Sequence, residues 1–146
     1  MNKISFVESI VDSQGKYLSQ SSEEYKFKYG FAKIEIYSDL SGDSAAFIEM
    51  LAILEEINSN IETAWEYVYS HYLRFCKFEK WMNDLGIPIA LKMNEINRYV
   101  SCISVTGYRA DGLWDEVVLF FRVDWDVEHC IYLKWSENKT WIKVDG

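Results

Sequence analysis

The chain has one proline, Pro88, in 146 residues, so little in it interrupts long regular elements. Its three cysteines, Cys76, Cys102 and Cys130, are odd in number and widely spaced. They form neither a CxxC pair nor a Cys/His metal spacing, and a secreted disulfide framework is not expected. No apolar run approaches the length that spans a bilayer, and Glu8 interrupts the N-terminal stretch before a signal-peptide core develops. The expectation is a reduced, cytoplasmic protein. The catalytic patterns GxSxG, GxxxxGKS and HExxH are missing. Cations are few as well: 15 Lys and Arg face 23 Asp and Glu, a formal net charge of −8. That balance disfavours nucleic acid, whose phosphates must be met by cations, and it disfavours anionic membrane surfaces.

Apolar residues make up 49% of the chain and aromatics 16%, enough for a substantial core. No repeat, low-complexity tract or linker divides it, and residues 1–146 are expected to form a single domain.

Residues 5–11 and 16–19 are β-rich and flank Asp12-Ser13-Gln14-Gly15, a turn sequence. From Tyr25 to Tyr37 large apolar residues alternate with polar ones, and a slip near Ala32 predicts a bulge or short turn. After Ser41-Gly42-Asp43 the period changes: Phe47, Met50, Leu51, Leu54, Ile57 and Ile61 follow helical spacing. Asn58-Ser59-Asn60 interrupts this helix, and Ser59 with Glu62 has the spacing of a capping box that starts another. The second helix carries Ile61, Trp65, Val68, Tyr72 and Phe75 on one face and runs towards Trp81 and Leu85, with Pro88 just past Gly86 where a helix should stop. Residues 92–97 suggest one more short turn. Four β-rich runs close the chain at 99–106, 116–125, 130–135 and 140–144, joined by short connections containing Asp111-Gly112 or Ser136-Glu137-Asn138-Lys139. Connections so short suit antiparallel pairing. The order of elements predicts an α+β fold: an antiparallel β-sheet of N-terminal strands plus a C-terminal four-strand meander, with two or three central helices packed on one face.

Asp124-Trp125-Asp126-Val127-Glu128-His129 is the densest group of chemically capable side chains. Its acids open with the rhythm of an EF-hand, but His129 occupies the glycine position and Trp135 the final glutamate position. His129 and Cys130 are neighbours, which a strand turns to opposite faces, so they are not a nucleophile pair. The favoured reading is structural. Phe121, Val123, Trp125 and Val127 point into the core, Arg122, Asp124, Asp126 and Glu128 face water, and Glu128-His129 forms a bend. No catalytic residue, metal ligand or cofactor is assigned.

A second feature is an absence of positive charge between Lys33 and Arg74. That window holds acids without the Lys or Arg that solvated helices use for i,i+4 pairs. Asp43, Glu49, Glu55, Glu56, Glu62 and Glu66, with Tyr67 and Tyr69, therefore form a candidate docking surface for a basic protein partner. Most of the aromatic stripe Trp65, Tyr69 and Tyr72 is read as core.

The run from Phe121 to His129, followed by strand residues and Val144-Asp145-Gly146, resembles small bacterial proteins in which a strand ends in W-D-x-E-H-G and turns. Proteins of that kind are similar to immunity proteins of polymorphic toxin systems. Cys130 stands where the pattern has glycine, so the turn must be built differently here. The resemblance implies an N-terminal hairpin region, central helices and a C-terminal meander, with Trp125 in the core and Asp126, Glu128 and His129 shaping the bend. It also implies the leading function: neutralisation of a cognate toxin, basic and nuclease-like, by covering its active site through the acidic face. The alternative is a small metal-dependent or hydrolytic enzyme using Asp124, Asp126, Glu128 and His129. The oligomeric state is left open.

Overall fold

A computed structural model describes residues 4–10 and 16–135, and the backbone of 141–144. The turn expected at Asp12–Gly15, the connection 136–139 and the terminal Asp145-Gly146 lie outside the described residues. Strands β1 (Phe6–Ile10) and β2 (Tyr17–Ser21) pair antiparallel. The alternating run beyond them divides into β3 (Tyr25–Phe27) and β4 (Gly30–Ser38), because the chain reverses at Lys28-Tyr29 rather than slipping near Ala32. Ala32, Ile34 and Ile36 then point inward and are fully buried, while Phe31 and Lys33 point out.

Helix α1 (Ser44–Ser59) starts at Asp43, whose Oδ1 accepts from the Ala46 amide at 3.1 Å, satisfying one of the free donors of the first turn. Its buried stripe is Ala46, Met50, Leu54 and Ile57. Helix α2 (Ile61–Phe75) follows after Asn60 and buries Ile61, Ala64, Trp65, Val68 and Tyr72. The expected capping box does not form. Ser59 turns its hydroxyl back to the Glu55 carbonyl at 3.1 Å, and Glu62 is taken by the β3–β4 turn. Helix α3 (Glu79–Asp84) stops where Gly86 adopts φ 72° and the Ile87 amide donates to the Met82 carbonyl at 2.9 Å, a Schellman-type end. The further turn expected at 92–97 is present, the Glu95 amide donating to the Lys92 carbonyl at 2.9 Å, and it runs on into a 3-10 turn at Ile96–Tyr99.

One face of α2 has a specific task. Trp65 Nε1 donates to the Met93 carbonyl at 2.6 Å, Tyr69 Oη to the Leu91 carbonyl at 2.9 Å, and Tyr72 Oη to the Pro88 carbonyl. The Leu91 amide in turn donates to Tyr72 Oη at 3.0 Å. Spaced one helical turn apart, three polar-tipped rings satisfy the backbone of an irregular segment that crosses the helix layer. Leucine or phenylalanine there would fill the volume and leave those groups unpaired.

The chain then enters β5 (Val100–Ala110), β6 (Leu113–Val123), β7 (Ile131–Trp135) and β8 (Trp141–Val144), each pair antiparallel. Asp111 and Gly112, at φ 53° and 78°, make the two-residue β5–β6 turn whose positive φ values match strand twist. The sheet order is β1-β2-β4-β5-β6-β7-β8, with β3 beside β4. β4 and β5 pair in parallel, with the three helices forming the crossover between them, so the sheet is mixed although mostly antiparallel. The helices cover one sheet face, where Ile34, Ile36, Val105, Leu119, Phe121 and Leu133 form the core. Gly107 is required at closest approach, since a Cβ there would lie 2.5 Å from Trp114 Cζ3 and 2.6 Å from Met50 Cε. Among the described residues no helix is long and apolar enough to cross a membrane.

Candidate binding face

The strand alternation that fills the core also builds the opposite face, which carries no helix among the described residues. Three cross-strand rows lie on it. Lys33, Ser104, Phe120 and Tyr132 form one; Glu35, Thr106, Val118 and Lys134 the next; Tyr37, Tyr108 and Glu116 the third. Arg122 stands opposite Cys102 below the first row. The face is concave, forming a half-open depression of about 510 Å³ over β4, β5, β6 and β7. Ser104 and Thr106 form its floor with Val118 and Phe120, all half-buried. Phe120 meets Tyr132 edge-on at 5.1 Å, and Tyr37 stacks on Tyr108 at 5.3 Å. Burial raises the pKa of Tyr37 and, with Tyr37 and Glu116 nearby, that of Tyr108, so both hydroxyls remain available as donors. Lys134 Nζ lies 3.8 Å from Glu116 at the rim.

The candidate docking acids on the helices divide into two groups. Asp43 is only 8% exposed and does not present its charge outward. Besides capping α1, it accepts from Ser38 Oγ at 2.8 Å and Arg109 Nε at 3.1 Å. Arg109 Nη2 also reaches Glu49 at 2.8 Å, while its guanidinium lies over the Trp114 ring at 5.0 Å. Glu62 pairs with Lys28 and accepts from Tyr29 Oη at 2.6 Å; the hydrogen bonds from Lys28, then Tyr29, lower its pKa. Tyr69 is half-buried, its hydroxyl spent on the Leu91 carbonyl. Glu56 is half-buried, and Glu55, Glu66 and Tyr67 are exposed. The missing cations are thus supplied from positions remote in sequence, Arg109 on β5 and Lys28 in the β3–β4 turn, and the outward acidic surface is narrower than the linear window suggests.

The acid-rich hexapeptide is a turn. Strand β6 ends at Val123, and the Asp124 amide donates to the Tyr99 carbonyl at 2.8 Å. Beyond that point the two-residue period no longer applies. Trp125 is fully buried as expected, but Asp126 is also buried, and Val127, expected inside, is 57% exposed. Asp126 Oδ1 accepts from the amides of Glu128 at 3.3 Å and His129 at 3.1 Å, and lies 3.2 Å from His129 Nδ1. Its Oδ2 lies 3.5 Å from His71 Nε2 on α2. The Trp125 indole donates to His71 Nδ1, and Trp81 Nε1 donates to the Trp125 carbonyl at 2.8 Å, drawing α3 onto the turn. Asp124 and Glu128 are exposed, and among the described residues no three His, Cys, Asp or Glu side chains are grouped to hold a metal ion.

None of the residues expected to dock a partner lies on the open sheet face. A signal for it was present in Val117–Phe121, an uninterrupted apolar run that gives β6 apolar side chains on both faces. Compared with known proteins, the chain matches no family model, no curated protein and no solved structure.

Proposed function

We propose that this chain is a binding protein of the immunity type that holds a partner protein, a toxin domain, against the open face of its sheet. The observation that carries the reading is that face itself: concave, without a covering helix among the described residues, floored by Ser104, Thr106, Val118 and Phe120 and walled by tyrosines. Tyrosine and arginine around a partly apolar centre are the composition of interface hot spots. Covering the partner's active site in the cytoplasm is the mode of action this reading assigns. The acidic helical surface, reduced to Glu55, Glu66 and Tyr67 with parts of Glu49 and Glu56, is a secondary contact that steers encounter.

Co-expression with the product of the neighbouring gene, followed by tag purification, tests it. The wild-type chain should retain that product. Thr106→Arg, which places a long charged side chain on the floor of the depression, should release it, whereas Glu55→Lys with Glu66→Lys should leave it bound. The opposite pattern would move the interface to the helices, and absence of any complex would remove the immunity reading.

A second reading rests on Asp126 and His129. A carboxylate that orients an exposed imidazole can make a general base, and a small hydrolytic enzyme would use the pair in that way. Substrate turnover abolished by His129→Ala would support it; a melting midpoint unmoved by divalent cations would count against its metal-dependent form.

A further inference from the structure

We infer that the open face is an electrically polarised groove whose occupant is an acidic stretch of partner polypeptide bearing an aromatic side chain. The inference rests on the reading of that face as the docking surface. On a chain of net charge −8, the groove is charged unevenly, with Lys33 and Arg122 towards one end and Glu35 and Glu116 towards the other. Lys33 and Arg122 both line it and both are exposed, and neither makes a side-chain ion pair or hydrogen bond among the described residues. At the other end Glu116 is already faced by Lys134.

Geometry places the two cations to act together. Lys33 is on β4 and Arg122 on β6, two strands apart, roughly 10 Å across the sheet by ordinary strand spacing. Both side chains are long enough to lean over the Ser104–Phe120 pair between them. An acid in an extended segment lying there meets two positive charges, and its backbone meets the Ser104 and Thr106 hydroxyls. A ring next to the acid stacks on Phe120, whose partner Tyr132 already shows the edge-on geometry such rings prefer. A basic segment would meet Lys33 and Arg122 as like charges. Exposed acids stand on the helices and on several turns, and the Lys33–Arg122 end of the groove selects an acidic occupant.

Three acetylated and amidated tetrapeptides, Asp-Tyr-Asp-Gly, Asn-Tyr-Asn-Gly and Lys-Tyr-Lys-Gly, supply the probes, titrated into the full ¹⁵N-labelled chain. The acidic peptide should shift the amides of Cys102, Ser104, Thr106 and Phe120. It should bind roughly tenfold more tightly than the basic one, the factor that two partly exposed ion pairs provide. Raised salt should narrow the difference. Lys33→Glu with Arg122→Glu should reverse the preference, and Lys33→Met with Arg122→Gln should abolish it without favouring the basic peptide; an unchanged spectrum elsewhere confirms the fold of each variant. Equal or tighter binding of the basic peptide, or failure of all three to perturb the face, overturns the inference. If the neighbouring product is still captured and released by Thr106→Arg, that failure belongs to the charge selection alone. If the acidic peptide seats in the groove while no product is captured, the groove chemistry stands and the immunity reading falls.

Discussion

The Trp125 indole donates to His71 Nδ1 across 2.8 Å, and that bond fixes the tautomer of the imidazole. An indole nitrogen only donates, so Nδ1 must be the bare nitrogen and Nε2 carries the proton towards Asp126. The histidine thereby links helix α2 to the turn after β6. His71→Phe keeps the ring that stacks on Phe75 but leaves a buried indole N–H without its acceptor. The expected loss is about 1–3 kcal/mol in denaturant unfolding. Asp126→Asn should cost less, because its side-chain carbonyl still accepts from the Glu128 and His129 amides. A His71→Phe protein as stable as wild type would show that the bond has no structural weight.

Arg109 performs the corresponding task at the other end of the helix layer. Its side chain is 5% exposed and joins Asp43, Glu49 and the Trp114 ring. Removing it as Arg109→Met leaves the Asp43 carboxylate buried without a counter-charge, a change that typically costs about 3–5 kcal/mol. Asp43→Asn added to Arg109→Met should recover part of that loss, since asparagine still caps α1 and no stranded charge remains. Thermal midpoints of the two singles and the double measure the coupling. Additive losses would mean that the pair does not act as a unit.

These two residues also mark what could be read from the sequence. Strand and helix periods are local, so the alternation from Tyr25 and the stripe through Met50, Leu54 and Ile57 were legible, as was the α+β order. The parallel β4–β5 pairing was not, because it depends on where the helices return the chain. Neither was the neutralisation of the helical acids: Arg109 is 66 positions from Asp43, and Lys28 is 34 from Glu62. Asp126 and Val127 exchanged their expected places because alternation was extended past Val123, where the strand had ended. The polar tips of Trp65, Tyr69 and Tyr72 read as core volume, since the carbonyls they satisfy belong to a segment without periodicity. The open face was hidden by its balance of charge, which stands out less in a sequence than a run of acids.

Adjacent phenylalanines on β6 test which face is which. Phe121 is fully buried and meets Trp65 edge-on at 5.8 Å, whereas Phe120 lies half-buried in the open groove. Phe121→Ala should cost about 3–5 kcal/mol through lost burial and the cavity it leaves. Phe120→Ala should cost about 1 kcal/mol, the worth of an aromatic pair with Tyr132. Urea titration of both variants provides the comparison, with unchanged slopes as the control. Equal losses would mean that Phe120 belongs to a second core and that the groove is not open.

Alkaline pH should weaken the fold, and Tyr72 should account for a definable share. Burial is the main cause that pushes its hydroxyl from 10.0 up to about 12, with the Cys76 thiol adding to the rise and the Leu91 amide opposing it. The folded chain therefore holds this proton more tightly than the unfolded chain does. Its contribution to stability is complete below pH 10, falls as the unfolded hydroxyl ionises, and is lost as pH passes about 12. Each unit of separation corresponds to about 1.4 kcal/mol. Tyr72→Phe loses the bonds to Pro88 and Leu91, so it should be less stable at neutral pH. It should also fall less steeply between pH 10 and 12, with the slope that remains coming from groups such as Tyr29, Tyr37 and Tyr108, whose pKa values are raised too. Denaturant midpoints of the two proteins across that range should converge; parallel curves would show that Tyr72 is not the residue whose proton the fold retains.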